Sequence, residues 1–424
     1  MASYNRPRGT EDLLPEQAAQ WHWLEEQFRS VARRFNFGEI RTPTFEQTEL
    51  FKRSVGETTD IVGKEMYTFE DRGGRSFTLR PEGTAPIARA YVENKLFGQA
   101  HVWKLFYFTS IFRYERPQAG RLREAHQAGV ELLGAAGPNA DIEVIALAVD
   151  FFQSLGLTNL ALVVNSIGCP ACRPAYREAL VNYFDERREA LCETCLERFE
   201  KNPLRILDCK STGCQIAAED APVALDYLCE ECAAHFEAVK QGLDSLGVEY
   251  EINPRLVRGL DYYTKTAFEV RCKDLGAQNQ VAGGGRYDGL VEQCDGPATP
   301  AVGFALGIER TLLALEALGK APELKLQPDA CLVCFGEAAM QAAPAVMGDL
   351  RKAGLAVESD LVARSPKKQL KLAAEAGASY AVIIGEDELA RGVVTLKELA
   401  TGEQAEAPRS KLASELTARI RKEK

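Results

Sequence analysis

A chain of 424 residues, 46% hydrophobic and 26% charged, carries enough apolar material for two or three domains, each with its own core. Its net charge of -10 excludes bulk attraction to nucleic acid, so any contact with RNA has to come from local basic patches. The first residues, MASYNRPRGTEDLLPEQAAQ, carry charges and prolines where a signal peptide needs an apolar run, and no stretch reaches membrane-spanning length, which reads as a cytoplasmic protein with no membrane partner.

Trp21, Leu24, Phe28, Val31 and Phe35 recur on one side of residues 16–37, the spacing of an amphipathic helix. From there to about 135, the β-rich runs SFTLRP, VWKLFYF and AGVELLG alternate with turn residues and a helical stretch near 84–96, which predicts an antiparallel sheet with helices packed on it. Residues 140–155 read as a helix and 160–166 as a strand. The cysteine-rich stretch that follows, to about 238, reads as mostly helical with Pro and Gly breaks. Strand patterning resumes in FEVRC and AGGGRYDG, and the apolar GFALGIERTLLALEAL reads as a helix. After a linker at LGKAPELKLQPD, the runs CLVCFG, LAVES and SYAVIIG alternate with helices as βαβ units. The expected class is α+β: a sheet domain in two parts, 1–165 and 251–320, a helical insertion at 166–250, and an α/β domain at 328–424.

Eight of the twelve cysteines fall in that insertion, as Cys169-x2-Cys172, Cys192-x2-Cys195, Cys209-x4-Cys214 and Cys229-x2-Cys232. Close pairing lets two thiolates meet one tetrahedral ion, which points to structural Zn2+. A reducing compartment disfavours disulfides, and the competing reading is of small buried hydrophobes. Eight thiolates suffice for two sites, and the spacing leaves open which pairs share a metal. Cys331 and Cys334 in ACLVCF point to opposite faces of a strand and read as core.

Arginines recur beside glycines and aromatics: Arg113 in SIFRYERPQ, Arg258 in LVRGLDYY and Arg310 in GIERTLL. A guanidinium is always charged and grips phosphate bidentately, so several of them converging suit a polyphosphate ligand.

These stretches resemble the class II aminoacyl-tRNA synthetases and, within them, the histidyl-tRNA synthetase family of the bacterial type, over nearly the whole length. IRTPTFEQTELFKRSVGETTD is similar to motif one, whose proline-containing helix and strand make the dimer contact, with Pro43 as that proline. YFTSIFRYERPQAGRLREAHQAGVELLG is similar to motif two and AVGFALGIERTLLAL to motif three. LVRGLDYYTKTAFEV and AGGGRYDGLVEQ are characteristic of the histidine enzyme.

The resemblance implies a ligase that activates L-histidine with ATP and transfers it to the 3′ end of its tRNA. Arg113 would hold the α-phosphate and Arg258 would stabilise charge at the same phosphorus. Arg310, with Arg121 or Arg123, would hold the outer phosphates, and Mg2+ would arrive with the ATP. Glu82, Gly83, Thr84 and Gln127 would form the end of the pocket that takes the α-ammonium group. Glu131 would accept from the imidazole N–H, with Tyr262 and Tyr263 adding a hydroxyl and a wall. Tyr287 and the glycines Gly283, Gly284 and Gly285 would lie against histidine and adenylate. For tRNA, Arg116, Gln118, Arg121 and Arg123 gather on the motif-two loop, and Arg364, Lys367, Lys368 and Lys371 in the C-terminal α/β domain, which by resemblance binds the anticodon. His126 and the other histidines have no metal partner at useful spacing and are given no chemistry.

Cys192, Cys195 and Cys209 lie in LCETCLERFEKNPLRILDCK, which is similar to a bacterial subset of the family; the pairs at 169 and 229 are less usual. A regulatory relative that keeps the sheet fold typically loses the motif arginines and the C-terminal domain, and this chain keeps both. The three generic motifs also occur in other class II enzymes, such as the threonyl and prolyl enzymes, which lack the two histidine stretches.

Overall fold

The computed structural model describes residues 4–56, 59–209, 211–273, 275, 279–324 and 327–423. Glu57 and Thr58 of the motif-one stretch, and Lys325 and Leu326 of the expected linker, lie outside the described residues. Two compact units result, Met1–Glu323 and Leu324–Lys424.

The first unit carries strands β1 (Gly38–Glu39), β2 (Phe45–Gln47), β3 (Tyr67–Glu70), β4 (Ser76–Leu79), β5 (Trp103–Phe112), β6 (Glu124–Leu133), β7 (Leu160–Ser166), β8 (Glu251–Ile252), β9 (Thr264–Cys272), β10 (Gln280–Arg286) and β11 (Ala301–Gly307). Eight of them form one sheet in the order β1-β5-β6-β11-β10-β9-β7-β8. Its five inner seams are antiparallel, as expected. The edge strands β1 and β8 run parallel to their neighbours, an addition to the all-antiparallel expectation.

Side chains alternate across β5, so Phe106 faces one layer and Leu105 and Tyr107 the other. On the first face the helices Pro15–Arg34 and Pro138–Ser154, each opened by proline, close the main core around Phe28, Phe106, Phe151 and Phe304. Phe28 and Phe151 meet edge to face at 5.1 Å. The opposite face keeps a smaller cluster around Tyr107, Tyr262, Tyr263 and Tyr287, and this is the side on which a cleft opens.

One buried ionic network ties the layers together. Arg286 is fully buried on β10 and meets Asp141 at 2.5 Å, while also donating to the carbonyls of Ala135 and Gly137. His235, on the helix Glu230–Ser245, reaches the same carboxylate at 3.2 Å.

Three expectations need correction. GFALGIERTLLALEAL is not one helix: Ala301–Gly307 is strand β11, and the helix runs from Ile308 to Ala317. A central strand buried on both faces has no polar alternation, so its apolar run merges with the helix behind it. Pro43 lies in the irregular segment between β1 and β2, where its carbonyl accepts from Arg80 at 2.9 Å; no helix contains it. The second unit is not purely βαβ. β12 (Ala330–Cys334), β13 (Val357–Ser359) and β14 (Tyr380–Ile384) are parallel, but β15 (Val393–Glu398) and β16 (Gln404–Pro408) add an antiparallel hairpin. Cys334 and Cys331 lie on opposite faces of β12, in separate apolar clusters, as their spacing predicts.

The insertion is mostly helical, with helices Arg173–Asp185, Glu193–Lys201, Thr212–Ala218 and Glu230–Ser245 and its own apolar cluster around Tyr176, Leu180, Phe184 and Ile206. Among the described residues no helix is long and apolar enough to cross a membrane.

Candidate active site

The cleft is a cavity of about 800 Å³ lined from several elements. Glu82 and Thr84 come from the start of the helix Thr84–Glu93, and Arg113 and Arg121 from the β5–β6 hairpin. Gln127 lies on β6, Arg258, Tyr262 and Tyr263 on the segment between β8 and β9, and Arg310 on the helix Ile308–Ala317.

Glu82 is 3% exposed and receives the backbone N–H groups of Thr84 and Ala85 at 2.8 and 2.7 Å, the first donors of that helix. Those bonds and the helix dipole favour its carboxylate, while burial, the larger influence, raises its pKa. The Tyr262 hydroxyl donates to it at 3.3 Å. The rings of Tyr262 and Tyr263 sit 4.7 Å apart and form one wall.

Arg258 is held by Glu269, with Nη1 at 2.8 Å, and its guanidinium lies 5.5 Å over the Tyr263 ring. It crosses β10 at Gly283, where a Cβ would come within 2.5 Å of Nη1, so any larger residue there would push the guanidinium aside. Arg113 donates from Nε to the Pro81 carbonyl at 2.7 Å. Arg310 donates to the carbonyls of Gly120 and Gln280 at 2.9 and 3.0 Å, which fixes its stem across the hairpin loop. Apart from Glu115 Oε2, which is ion-paired to Arg121, two polar atoms in the cleft are buried with no hydrogen-bond partner among the described residues, Gln127 Oε1 and Arg258 Nε. Burial without a partner is unfavourable, and a ligand that pairs such atoms relieves the cost.

Not every expected residue reaches the cavity. Glu131 is 1% exposed behind the wall, where Thr84 donates to it at 2.7 Å and the Tyr107 and Tyr287 hydroxyls also donate. Burial raises its carboxyl pKa to about 8. Gly83 packs on the Tyr107 ring instead of lining the cleft. The two motif-two arginines separate: Arg121 pairs with Glu115 at the cavity, whereas Arg123 stacks on Tyr114 at 3.9 Å, away from it. Arg116 and Gln118 are exposed on the same hairpin loop. In the second unit Arg364 pairs with Asp360 at 2.6 Å, and Lys367, Lys368 and Lys371 are exposed on the helix Pro366–Glu375.

Several polar residues of the cleft escaped the sequence reading, among them Glu269, Glu309, Asp208 and Gln215. Glu269, alternating inward on β9, holds Arg258 and Arg271. Glu309 receives the backbone N–H of His126 at 3.0 Å and lies 2.9 Å from its ring, so His126 lines the cavity as a held side chain. Asp208 and Gln215 reach the cavity from the insertion. Glu269 had a local signal in its strand alternation; the insertion residues had none.

The eight insertion cysteines form two quartets, Cys169 with Cys172, Cys229 and Cys232, and Cys192 with Cys195, Cys209 and Cys214. All four sulfurs of each quartet lie within 4.8 Å of one another. Individual separations of 3.7, 3.9 and 3.8 Å match the roughly 3.8 Å edge of a tetrahedron with metal–sulfur bonds of about 2.3 Å. The Cys229 and Cys192 N–H groups donate to Cys172 and Cys214 sulfurs at 3.1 and 3.2 Å, as they would to thiolates. The donor set therefore fits Zn2+ at both places.

The histidyl-tRNA synthetase family model matches residues 9–311, and the anticodon binding domain model matches residues 329–419. The chain is 55% identical over 400 residues to a histidine–tRNA ligase of Pelotomaculum thermopropionicum, covering 94% of each chain. It is 52% identical over 414 residues to that of Desulforamulus reducens, covering 98% of this chain and 99% of the relative. The crystal structure of apo histidyl-tRNA synthetase from S. aureus superposes with a TM-score of 0.84 at 40% identity, over 98% of this chain and 100% of that one. The chain belongs to the histidyl-tRNA synthetase family, as an aminoacyl-tRNA synthetase and ligase with an anticodon-binding domain at its C-terminal end.

Proposed function

We propose that the cleft activates L-histidine with ATP and then transfers it to the 3′ end of the histidine tRNA. The observation that carries this reading is the convergence of Arg113, Arg258 and Arg310 on one cavity that Glu82 and the unpaired Gln127 oxygen also line. Glu82 and Gln127 take the α-ammonium group, with Thr84 beside them and Gly83 behind, against the Tyr107 ring. The Tyr262 and Tyr263 wall takes the imidazole. Glu131 acts there from behind, by fixing the hydroxyls of Thr84 and Tyr287, and reaches the ring N–H if those hydroxyls turn.

The histidine carboxylate oxygen attacks the α-phosphorus of ATP, which enters with Mg2+ as its substrate complex; the bond to the bridging oxygen breaks and pyrophosphate leaves. Arg113 and Arg258 meet the charge that grows on the α-phosphate oxygens, and Arg121 and Arg310 hold the outer phosphates. The tRNA 3′-terminal ribose hydroxyl then attacks the histidyl carbonyl, and AMP leaves. Arg116 and Gln118 on the exposed loop contact the acceptor end, and Arg364 and Lys367 the anticodon side.

Both cysteine quartets bind Zn2+, which cross-links the insertion and leaves the reaction to the cleft. The chain works as a homodimer in the cytoplasm. Phe45 and Phe69 leave an aromatic patch 48% and 42% exposed on the small sheet next to Pro43, which supports a partner there. Exchange of labelled pyrophosphate into ATP tests the reading. Histidine alone among the amino acids should support it, and Arg258→Ala should slow it about 10²- to 10³-fold. Exchange with no amino acid would overturn the proposal.

A further inference from the structure

The segment between β8 and β9 carries Arg258, Tyr262 and Tyr263, yet it has no regular secondary structure over residues 253–263. Its backbone is held chiefly from outside: the Asp261 N–H donates to the Val55 carbonyl at 3.2 Å, and the Asn253 N–H to that of Val164 at 3.1 Å. What fixes Arg258 is therefore a question about its neighbours.

The insertion supplies the answer at two points. Arg205, 7% exposed in NPLRILDCK, reaches Asp261 Oδ1 with Nη2 at 2.7 Å and Nε at 3.2 Å. Its third nitrogen, Nη1, donates to the carbonyl of Arg258 itself at 3.3 Å. Asn202 adds a bond to the same Asp261 oxygen at 3.3 Å. Arg173 donates to the carbonyl of Tyr263. The grip is returned by Arg255, whose guanidinium reaches the Glu219 and Pro222 carbonyls of the insertion at 2.7 and 3.4 Å. A planar fork that spends its donors on a carboxylate and a carbonyl three residues apart defines the path of the chain between them. Neither Arg173 nor Arg205 lines the cavity, so neither can act on substrate directly. Both are mounted beside the metal quartets, Arg173 next to Cys172 and Arg205 four residues before Cys209.

We infer that Arg205, seconded by Arg173, is a positioning residue for the activation step: the insertion sets the Arg258–Tyr263 segment in its working geometry. The inference rests on the reading of Arg258 as the cation at the α-phosphorus. A group that acts only on the transition state affects kcat more than ground-state binding when displaced, and misplacement of about 1 Å can cost about 10²-fold.

Pyrophosphate exchange is measured on the full-length dimer for wild type, Arg258→Ala, Arg205→Gln, Arg205→Lys, Asp261→Asn and the Arg205→Gln/Asp261→Asn double variant, beside their unfolding temperatures. Arg205→Gln is expected to lower kcat about 10- to 100-fold with the KM for ATP unchanged. Arg205→Lys, a point charge in place of a fork, should restore the unfolding temperature but only part of kcat. Asp261→Asn should lower kcat in the same way, and the double variant should lose less than the product of the two single losses. A folded Arg205→Gln protein with wild-type kcat, or losses that simply multiply, overturns the inference. If Arg205→Gln does not fold, Asp261→Asn decides alone, and wild-type kcat there overturns it. Exchange slowed about 10²- to 10³-fold in Arg258→Ala but intact in Arg205→Gln sinks the positioning role alone; no exchange in wild type sinks the functional reading.

Discussion

The cleft and the insertion treat their polar atoms in opposite ways. In the cleft Gln127 Oε1 and Arg258 Nε are buried with nothing of the described chain to bond them. In the insertion, cysteine sulfurs gather in fours and collect backbone N–H groups. The cleft can keep unpaired groups because it stands on a wide sheet whose main core lies on the other face. The insertion has only a modest apolar cluster, and small cores of this kind need a cross-link. The cleft thus lies where stability comes from elsewhere, and the region without that support carries two sulfur quartets fit for a cross-link.

The largest effect expected from this contrast is metal removal. Structural zinc sites contribute on the order of 10–16 kcal/mol to the segments they hold, so stripping both should unfold the insertion while the sheet persists. Metal analysis of protein purified without added zinc should find two equivalents per chain, and Cys195→Ser and Cys232→Ser should each lose one. Less than one equivalent in the wild type, with every thiol freely titratable, removes the metal from the account. Next in size is the sheet's own ion network: Asp141→Asn leaves Arg286 buried with its main partner neutral, and should cost about 3–5 kcal/mol in chemical denaturation. A loss below about 1 kcal/mol would show that the Ala135 and Gly137 carbonyls and Asp288 already satisfy the guanidinium.

Much of this was legible in the sequence because it is local. The helix at Pro15–Arg34 follows from Trp21, Leu24, Phe28 and Val31 at helical spacing, and the strand at 160–166 matches β7. What escaped is of two kinds. Strand β11 was hidden because an apolar run buried on both faces looks like a continuation of the next helix. The β15–β16 hairpin was missed because its outer strand, Gln404–Pro408, is short, mostly exposed and built of alanine, proline, Gln404 and Glu406, residues of low β-propensity. Long-range pairing had no signal at all: Cys169 joins Cys229 across the insertion, and Arg173 meets Tyr263 ninety positions on. In the site, Arg113, Arg258 and Arg310 could be picked by their chemistry, and Glu82 by the resemblance. That Glu131 and Arg123 stand off the cavity depends on packing against Tyr287 and Tyr114, which only the fold decides.

A smaller effect sharpens the sheet side of the comparison. Gly303 on β11 faces Glu131 and the Val130 carbonyl so closely that a Cβ would overlap both. Gly303→Ala should destabilise by about 1–3 kcal/mol and weaken histidine binding, because Glu131 and its hydroxyl partners must shift. Gly247→Ala is not an adequate control, since that residue has a φ of +66°; Gly289→Ala, with open space at the Cβ, is. Equal denaturation midpoints for Gly303→Ala and Gly289→Ala would mean that β11 can move away.

The mildest test concerns the charge on Glu131. Burial lifts its pKa from the ordinary 4.5 to about 8, against the hydroxyls of Tyr287, Thr84 and Tyr107, which favour the carboxylate. A group whose folded pKa lies above its unfolded value stabilises the fold in its protonated form. That contribution is complete below about pH 4.5 and is lost as pH rises through about 8, at no more than about 1.4 kcal/mol per pH unit. Denaturation of the wild type should therefore become easier between pH 6 and 8, after subtraction of the same titration in Glu131→Gln, which cannot ionise there. Parallel curves for the two proteins would mean that Glu131 is already a carboxylate at pH 6, with the three hydroxyls outweighing burial. In that event the carboxylate stands ready as an acceptor for the imidazole N–H, and the turn of the Thr84 and Tyr287 hydroxyls becomes the step that admits histidine.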